Sequence, residues 1–262
     1  MTTWEKFEEQ CTNFLNKEFG AYAKFTRRGG TDSTIPDILT KTNSGNLFYI
    51  EAKHSPAQCG QFVLIPDFKN KIFEYSQRNI NPINEYSKMI VNYMNVHFEK
   101  FSKAGTAGQD INIPNGSDIF SNWIIHTYKK KNVRFFITNN YTIFPIDCLK
   151  EHFEVTAKYR IKRSGSTNVG KLYINDVMKY VIHNYKITNH RTENGKLFVI
   201  SSQDLDKCKF KIFETEYMFS PRGSEYEIRK LSNTNNANVI FSVTQKASIK
   251  GMPKALFIDS LK

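Results

Sequence analysis

The stretch Ile35–Lys53, I-P-D-I-L-T-K-T-N-S-G-N-L-F-Y-I-E-A-K, constrains the chain more than any other. Ile, Leu, Phe and Tyr in two short runs favour strands, and Asn-Ser-Gly between them favours a tight turn, so the stretch predicts a β-hairpin. Ile38–Thr42 is the first strand, Asn43–Gly45 the turn and Leu47–Lys53 the second strand. Alternate residues of a strand share a face. Tyr49, Glu51 and Lys53 then point one way, while Phe48, Ile50 and Ala52 point the other way into a core. Asp37 sits at the mouth of the opposing strand. The hairpin therefore brings two carboxylates and one ammonium to a single sheet edge.

That arrangement has a chemical use. Two neighbouring carboxylates repel unless a hard cation lies between them, and Mg²⁺ prefers oxygen ligands with water completing its octahedron. A lysine beside the ion can orient or deprotonate a bound water and offset negative charge developing on a phosphate. Pro36-Asp37, thirteen intervening residues and then Glu51-Ala52-Lys53 resemble the motif of the PD-(D/E)xK nuclease superfamily. The continuation Glu51–Leu64, E-A-K-H-S-P-A-Q-C-G-Q-F-V-L, resembles the type II restriction endonucleases of that superfamily, in which a Gln-containing segment often follows the lysine strand. Pro-Asp alone is weak: Pro66-Asp67 has no E-x-K strand after it at suitable spacing. The plain alternative is a surface hairpin with a solvated Glu51–Lys53 pair. Strand periodicity, hydrophobic register and the Gln58/Gln61 tail together favour the nuclease.

The resemblance implies an α/β fold with a restriction-endonuclease-like core, in which a mixed central sheet is flanked by helices. A C-terminal α+β or β-rich part would recognise DNA. With the composition changing after Ala157, residues 1–155 are expected to form the catalytic core and residues 156–262 the recognition region. By the same resemblance, Asp37, Glu51 and the Ala52 carbonyl would hold one or two Mg²⁺ ions. Lys53 would help activate the attacking water, the 3′ oxygen would leave, and a 5′-phosphate would remain. Gln58 or Gln61 would orient substrate or water. In several relatives a glutamate from an early helix reaches the metal, and Glu8 is the candidate here, with a solvated helix charge as the alternative.

The partner is read from charge. A formal net charge of +12 and a pI near 9.4 raise the local concentration of polyanions. No long apolar run or basic amphipathic helix points to a membrane instead, and M-T-T-W-E-K-F-E-E is no signal peptide. Cys11, Cys59, Cys148 and Cys208 are scattered without a C-x-x-C pair, and the histidines have no ligand spacing, which disfavours zinc and disulfides. A reduced protein of the bacterial cytoplasm is expected, with carboxylate-based metal chemistry.

Along the chain, Thr3–Phe19 predicts a helix with Thr2 and Glu5 as a capping box and Trp4, Phe7, Cys11, Phe14 and Leu15 as its buried stripe. Ala21–Arg28 predicts a strand leading into R-R-G-G-T-D-S, where Arg27, Arg28 and Ser33 are candidates for contact with the DNA backbone, with a plain exposed turn as the alternative. His54–Gly60 reads as a loop, Gln61–Ile65 as a strand, Asn84–Lys103 and Asp118–Tyr128 as helices, and Val133–Thr138 as a buried strand. The basic segment after Ala157 offers Arg160, Lys162, Arg163, Ser164, Ser166 and Asn168 to bases or phosphates, with a basic solvated hairpin as the alternative. Lys171–Lys250 reads as short strands and turns. Within it, F-S-P-R-G-S reads as a turn that could present Arg222 to a base edge, with Ser220 and Ser224 on phosphate; an ordinary turn is the alternative.

These readings predict a Mg²⁺-dependent type II restriction endonuclease acting on double-stranded DNA with a short specific site. Palindromic sites mirror two-fold protein symmetry, so a homodimer is expected, with a cognate DNA methyltransferase as functional partner. Three alternatives stay open. One is a repair, recombination or nicking nuclease with the same core. Another is a non-catalytic DNA-binding protein, disfavoured by the intact Asp37, Glu51 and Lys53. The third is an RNA-binding module, which lacks its paired aromatic platform.

Overall fold

In a computed structural model, which describes residues 3–28, 35–247 and 250–262, helix α1 (Thr3–Phe19) buries Phe7, Cys11, Leu15 and Phe19. Their four-residue spacing puts them on one stripe. Trp4, expected in that stripe, is exposed. It stands a turn before the sheet-facing run and lines a cleft instead. Thr2, expected to cap the helix, lies outside the described residues.

Strands β1 (Ala23–Arg27), β2 (Ile38–Thr42) and β3 (Leu47–Lys53) form an antiparallel meander. The turn after β2 closes where the sequence predicts it, with Gly45 N–H donating to the Thr42 carbonyl at 3.0 Å. Next come β4 (Ala57–Asp67), β5 (Ile72–Tyr75), α2 (Glu85–Val96), α3 (Phe98–Phe101), β6 (Gln109–Asp110) and α4 (Gly116–Lys130). They are followed by β7 (Val133–Thr138), β8 (Thr142–Pro145), α5 (Leu149–His152) and β9 (Phe153–Arg163). β7 pairs in parallel with β3 and antiparallel with β8, giving a mixed sheet of order β1-β2-β3-β7-β8. Phe48, Ile50 and Ala52 of β3 join the α1 stripe, Phe135 and Ile137 in one buried cluster.

Two expectations change here. The helix predicted over Asn84–Lys103 is two helices. Asn84 caps α2 through a reciprocal box with Ser87, and His97 leaves helical geometry at φ −109°, turning Phe98 and Phe101 inward. The loop predicted at His54–Gly60 is shortened, because β4 already begins at Ala57 and pairs across the sheet.

After β9 the chain builds β10 (Thr167–Asn168), α6 (Ile174–Asn184), β11 (Ile187–Glu193), β12 (Lys196–Ser201), β13 (Lys209–Ile212), β14 (Thr215–Arg222) and β15 (Glu225–Lys230). Five strands run in the order β11-β12-β15-β14-β13, with β10 on β15. Helix α6 was not expected among short strands and turns. Val177 and Val181, one helical turn apart, are its signal, and both are buried with Leu197, Val199, Phe210, Phe219 and Ile228. The turn predicted over Phe219–Ser224 is also corrected. β14 runs on to Arg222, which pairs with Glu225, so Gly223-Ser224 alone makes the turn. Gly223 has φ 64°, the left-handed backbone a two-residue hairpin needs and glycine supplies at little cost.

The chain then returns. β16 (Asn235–Gln245) pairs antiparallel with β4, in a sheet of order β5-β4-β16-β9-β6. Helix α7 (Lys254–Ser260) places Phe257 against Phe19 and Phe135. The division expected at 155/156 is therefore corrected: one unit is Met1–Arg160 with Ala237–Lys262, and the other is Ile161–Asn236. The reason is burial. Val239, Phe241, Val243 and Phe257 are all shielded from solvent within the first unit. Among the described residues no helix is long and apolar enough to cross a membrane.

Candidate active site

Asp37 lies in the bend before β2, where the main chain holds it at two points. Its Oδ2 accepts from the Ala52 N–H at 2.9 Å, and its carbonyl accepts from the Arg28 N–H at 2.7 Å. On β3, Lys53 Nζ donates to Glu51 Oε1 at 2.6 Å. The Tyr128 hydroxyl, carried by α4, donates to the same oxygen at 3.0 Å. Glu51 Oε2 is buried and has no hydrogen-bond partner. Asp37, Glu51 and Lys53 line one cleft of about 440 Å³, together with Glu8, Gln58 and Gln61.

Burial and neighbouring charges shift the titratable groups of this cleft. Burial, then the neighbouring Glu51, push the Asp37 carboxyl up to about 8, against the pull of Lys53 and the Ala52 N–H. Burial alone would lower the Lys53 ammonium, but the charges of Glu51 and Asp37 outweigh it and raise the pKa. Lys53 therefore stays protonated. Burial, then Cys59 and Glu51, lift Tyr128 well above its ordinary value, so its hydroxyl remains a donor. Burial pushes the Cys59 thiol up to about 12, which leaves it inert rather than nucleophilic.

The donor set suits a hard divalent cation. An unpartnered, buried carboxylate oxygen and a carboxyl whose ionisation is suppressed by burial and then by its neighbour Glu51 both gain from such an ion. Among the described residues no group of three His, Cys, Asp or Glu side chains converges to hold a metal. Two carboxylates would thus need water and a main-chain carbonyl, such as that of Ala52, to complete an octahedron.

Glu8 reaches this cleft from α1, buried, with Arg27 Nε donating to its Oε2 at 3.0 Å. Burial raises its pKa more than Arg27 lowers it. Gln58 and Gln61 are brought together by an irregularity. Three residues apart on a regular strand, they would face opposite sides. In β4, however, Gln58 pairs with Ser242 and Gln61 with Ile240, so Cys59 and Gly60 together oppose Phe241. This bulge re-aims the strand, and Gln58 Nε2 donates to Gln61 Oε1 at 3.2 Å. Gly60 is required there: its φ is 94°, and a Cβ would meet the Trp123 ring at 2.8 Å. Tyr128 is the residue that sequence reasoning missed. Its spacing from Phe120 and Ile124 marks a buried helical face, but nothing in it marks the hydroxyl.

The segments expected to touch DNA stand as follows. Arg28 is exposed, and Ser33 lies outside the described residues. Arg27 is committed to Glu8. Arg160 is half-buried and Lys162 exposed at the end of β9. In the second unit Arg163 is engaged, donating to Glu216 and the Ser232 carbonyl. Ser164 bonds Thr234 and Asn236. Arg229 gathers the rest: it donates to the Ser166 carbonyl at 2.7 Å, to Asn168 Oδ1 at 2.9 Å and to Glu227. Arg222 Nε donates to Glu227 from the other side at 3.0 Å. Burial would raise the Glu227 pKa, but Arg229 and Arg222 hold it below the ordinary range. One network therefore joins Ser166, Asn168 and Arg222. Ser220 is half-buried on β14, and Ser224 is exposed in the turn.

No protein-family model matches the chain, and no curated protein matches it. A solved structure of HhaI endonuclease in complex with DNA is similar to it, with a TM-score of 0.76. The two are 36% identical over 98% of this chain and 95% of that one. With identity at that level sustained over nearly the whole of both chains, the protein belongs to the family of HhaI endonuclease.

Proposed function

We propose that the protein is a Mg²⁺-dependent type II restriction endonuclease, making sequence-specific double-strand cuts in DNA by phosphodiester hydrolysis and leaving 5′-phosphates. The observation that carries this reading is the cleft shared by Asp37, Glu51 and Lys53, in a chain whose family includes an endonuclease solved with DNA. Asp37, Glu51 and the Ala52 carbonyl would hold Mg²⁺, which when bound polarises the phosphate and acidifies a water.

The chain's own residues do the positioning. The Ala52 N–H fixes Asp37. Lys53 and Tyr128 both occupy Glu51 Oε1, leaving Oε2 available. Lys53, kept protonated, acts as a donor that orients the attacking water and offsets charge on the phosphoryl oxygens. Gln58 and Gln61 orient substrate or water, and Glu8 stands as the further carboxylate. Arg28, Ser33, Arg160 and Lys162 take the DNA backbone, while Arg222 reads a base edge with Ser220 and Ser224 beside it. Arg163, Ser164, Ser166 and Asn168 are further DNA contacts, Ser166 and Asn168 being tied to Arg222 through Arg229 and Glu227. A homodimer in a bacterial cytoplasm, with a cognate methyltransferase protecting host sites, completes the reading.

The test is digestion of unmethylated phage DNA with Mg²⁺, with Asp37→Ala alongside. Discrete fragments that are lost in the variant support the reading, and sequencing their ends gives the site. A smear or nicks would indicate a repair nuclease. A folded protein that binds DNA without Mg²⁺-dependent cutting would be a non-catalytic binder.

A further inference from the structure

The cleft is also lined by Arg78, Asn79, Ile80 and Asn81, from the connection between β5 and α2. This connection has no regular secondary structure, yet it is pinned at several points. Asn79 Oδ1 accepts from the Val63 N–H at 2.7 Å, and Asn79 Nδ2 donates to the Val63 carbonyl at 2.9 Å. The Ser76 N–H reaches the same carbonyl at 3.2 Å, and the Tyr75 hydroxyl donates to the Asn81 carbonyl at 2.9 Å. The Asn79 amide thereby takes both main-chain groups of Val63 beyond the point where β5 ends, imitating one more residue of that strand.

Its two neighbours do the opposite. Arg27, Arg163, Arg191, Arg222 and Arg229 each pair with a carboxylate, and of the arginines that do not among the described residues (Arg28, Arg78, Arg134 and Arg160) Arg78 is the one on the cleft. The Arg78 side chain is exposed and has no such pair among the described residues. Ile80 is 73% exposed, and Trp4 and Ile35 on the same cleft are also exposed. A cation without a protein counter-ion, alternating with an apolar side chain on a pinned loop, matches a DNA strand, in which anionic phosphates alternate with apolar deoxyribose faces. Pinning also lowers the ordering cost of binding.

Resting on the nuclease reading, we propose that the loop at residues 77–81 is a strand clamp. Arg78 holds a phosphate next to the scissile one, and Ile80 packs on the adjacent deoxyribose. The loop thereby sets how the strand lies over Asp37 and Glu51.

The test uses the full-length protein and a short duplex carrying the cut site mapped by digestion, with Ca²⁺ replacing Mg²⁺ to hold off cleavage. Arg78→Ala is expected to bind on the order of tenfold more weakly. Its plot of log affinity against log salt should be shallower by about one, and Arg78→Lys should restore the slope. Ile80→Ala should weaken binding with the slope unchanged. Neutral methylphosphonate links placed singly around the cut should identify one position that weakens the wild type but not Arg78→Ala. Both side chains are exposed, so these variants keep the fold. Wild-type affinity and slope in both alanine variants, in a protein that still cuts DNA into discrete fragments, would overturn the clamp and leave the nuclease reading standing. A wild type that neither cuts nor binds DNA overturns both.

Discussion

The Tyr128 hydroxyl and the Glu51 carboxylate, on helix α4 and strand β3, meet at 3.0 Å on the oxygen that Lys53 also holds at 2.6 Å. With both donors on Oε1, Oε2 is left buried and unpartnered. Removing the hydroxyl lets the carboxylate turn. Tyr128→Phe is expected to lower kcat roughly tenfold, the value of about one hydrogen bond to a charged group, with KM for DNA little changed. The Mg²⁺ concentration for half-maximal rate should rise, and calorimetry should show weaker metal binding. An unchanged metal dependence would reduce Tyr128 to a packing residue.

Lys53→Ala removes the protonated donor beside Glu51. Cleavage should fall by at least about 10², while specific DNA binding is largely retained in a gel-shift or anisotropy assay. Undiminished cleavage would sink the site assignment.

Asp37 makes stability depend on pH. Its pKa, raised to about 8 by burial and then by Glu51, lies above that of the unfolded chain, so between the two values the folded protein carries the extra proton. Stability is then fully present at acid pH and declines as pH rises through that window. In EDTA, the Tm of the wild type should fall with rising pH more steeply than that of Asp37→Asn, which cannot titrate. Mg²⁺ should flatten the wild-type profile and release a proton. Parallel Tm profiles for the two proteins would refute the shift.

In the second unit, buried Glu227 is bonded by Arg222 and Arg229. Glu227→Gln leaves two cations short of their counter-charge and should cost about 3 kcal/mol in chemical denaturation. Arg222→Ala should cost about 1–3 kcal/mol in DNA binding, or relax one position of the site, as read from single-base-pair variants. If binding and preference both survive, the Gly223-Ser224 hairpin is only structural.

The returning C-terminal segment offers a separate check. Phe257 is buried against Phe19 and Phe135. Phe257→Ala should destabilise the unit that carries Asp37 and Glu51 by about 3–5 kcal/mol, measured by hydrogen exchange on peptides from β1–β3. Protection changes confined to Ile161–Asn236 would contradict the division described above.

Local pattern carried much of this. The alternation of Leu47–Lys53 foretold which side chains of β3 enter the core, because a strand's period of two is a property of the backbone. The spacing of Phe7, Cys11 and Leu15 likewise foretold the buried face of α1. Trp4 failed because periodicity says which residues share a face but not how far the opposing surface extends. Helix α6 was missed because the Val177–Val181 signal lies within a polar, Asn- and Lys-rich stretch.

The hairpin and the grouping of Asp37, Glu51 and Lys53 were legible in the chain's local order, since a strand and a short turn are specified by neighbouring residues. What completes that group comes from segments far apart in the chain. Tyr128 meets Glu51 across 77 residues, Arg27 meets Glu8 across 19, and β16 returns from beyond the second unit to pair with β4. The β4 bulge that joins Gln58 to Gln61 depends on how β16 pairs. Such contacts arise from burial and hydrogen-bond satisfaction over the whole folded unit, which no local period encodes.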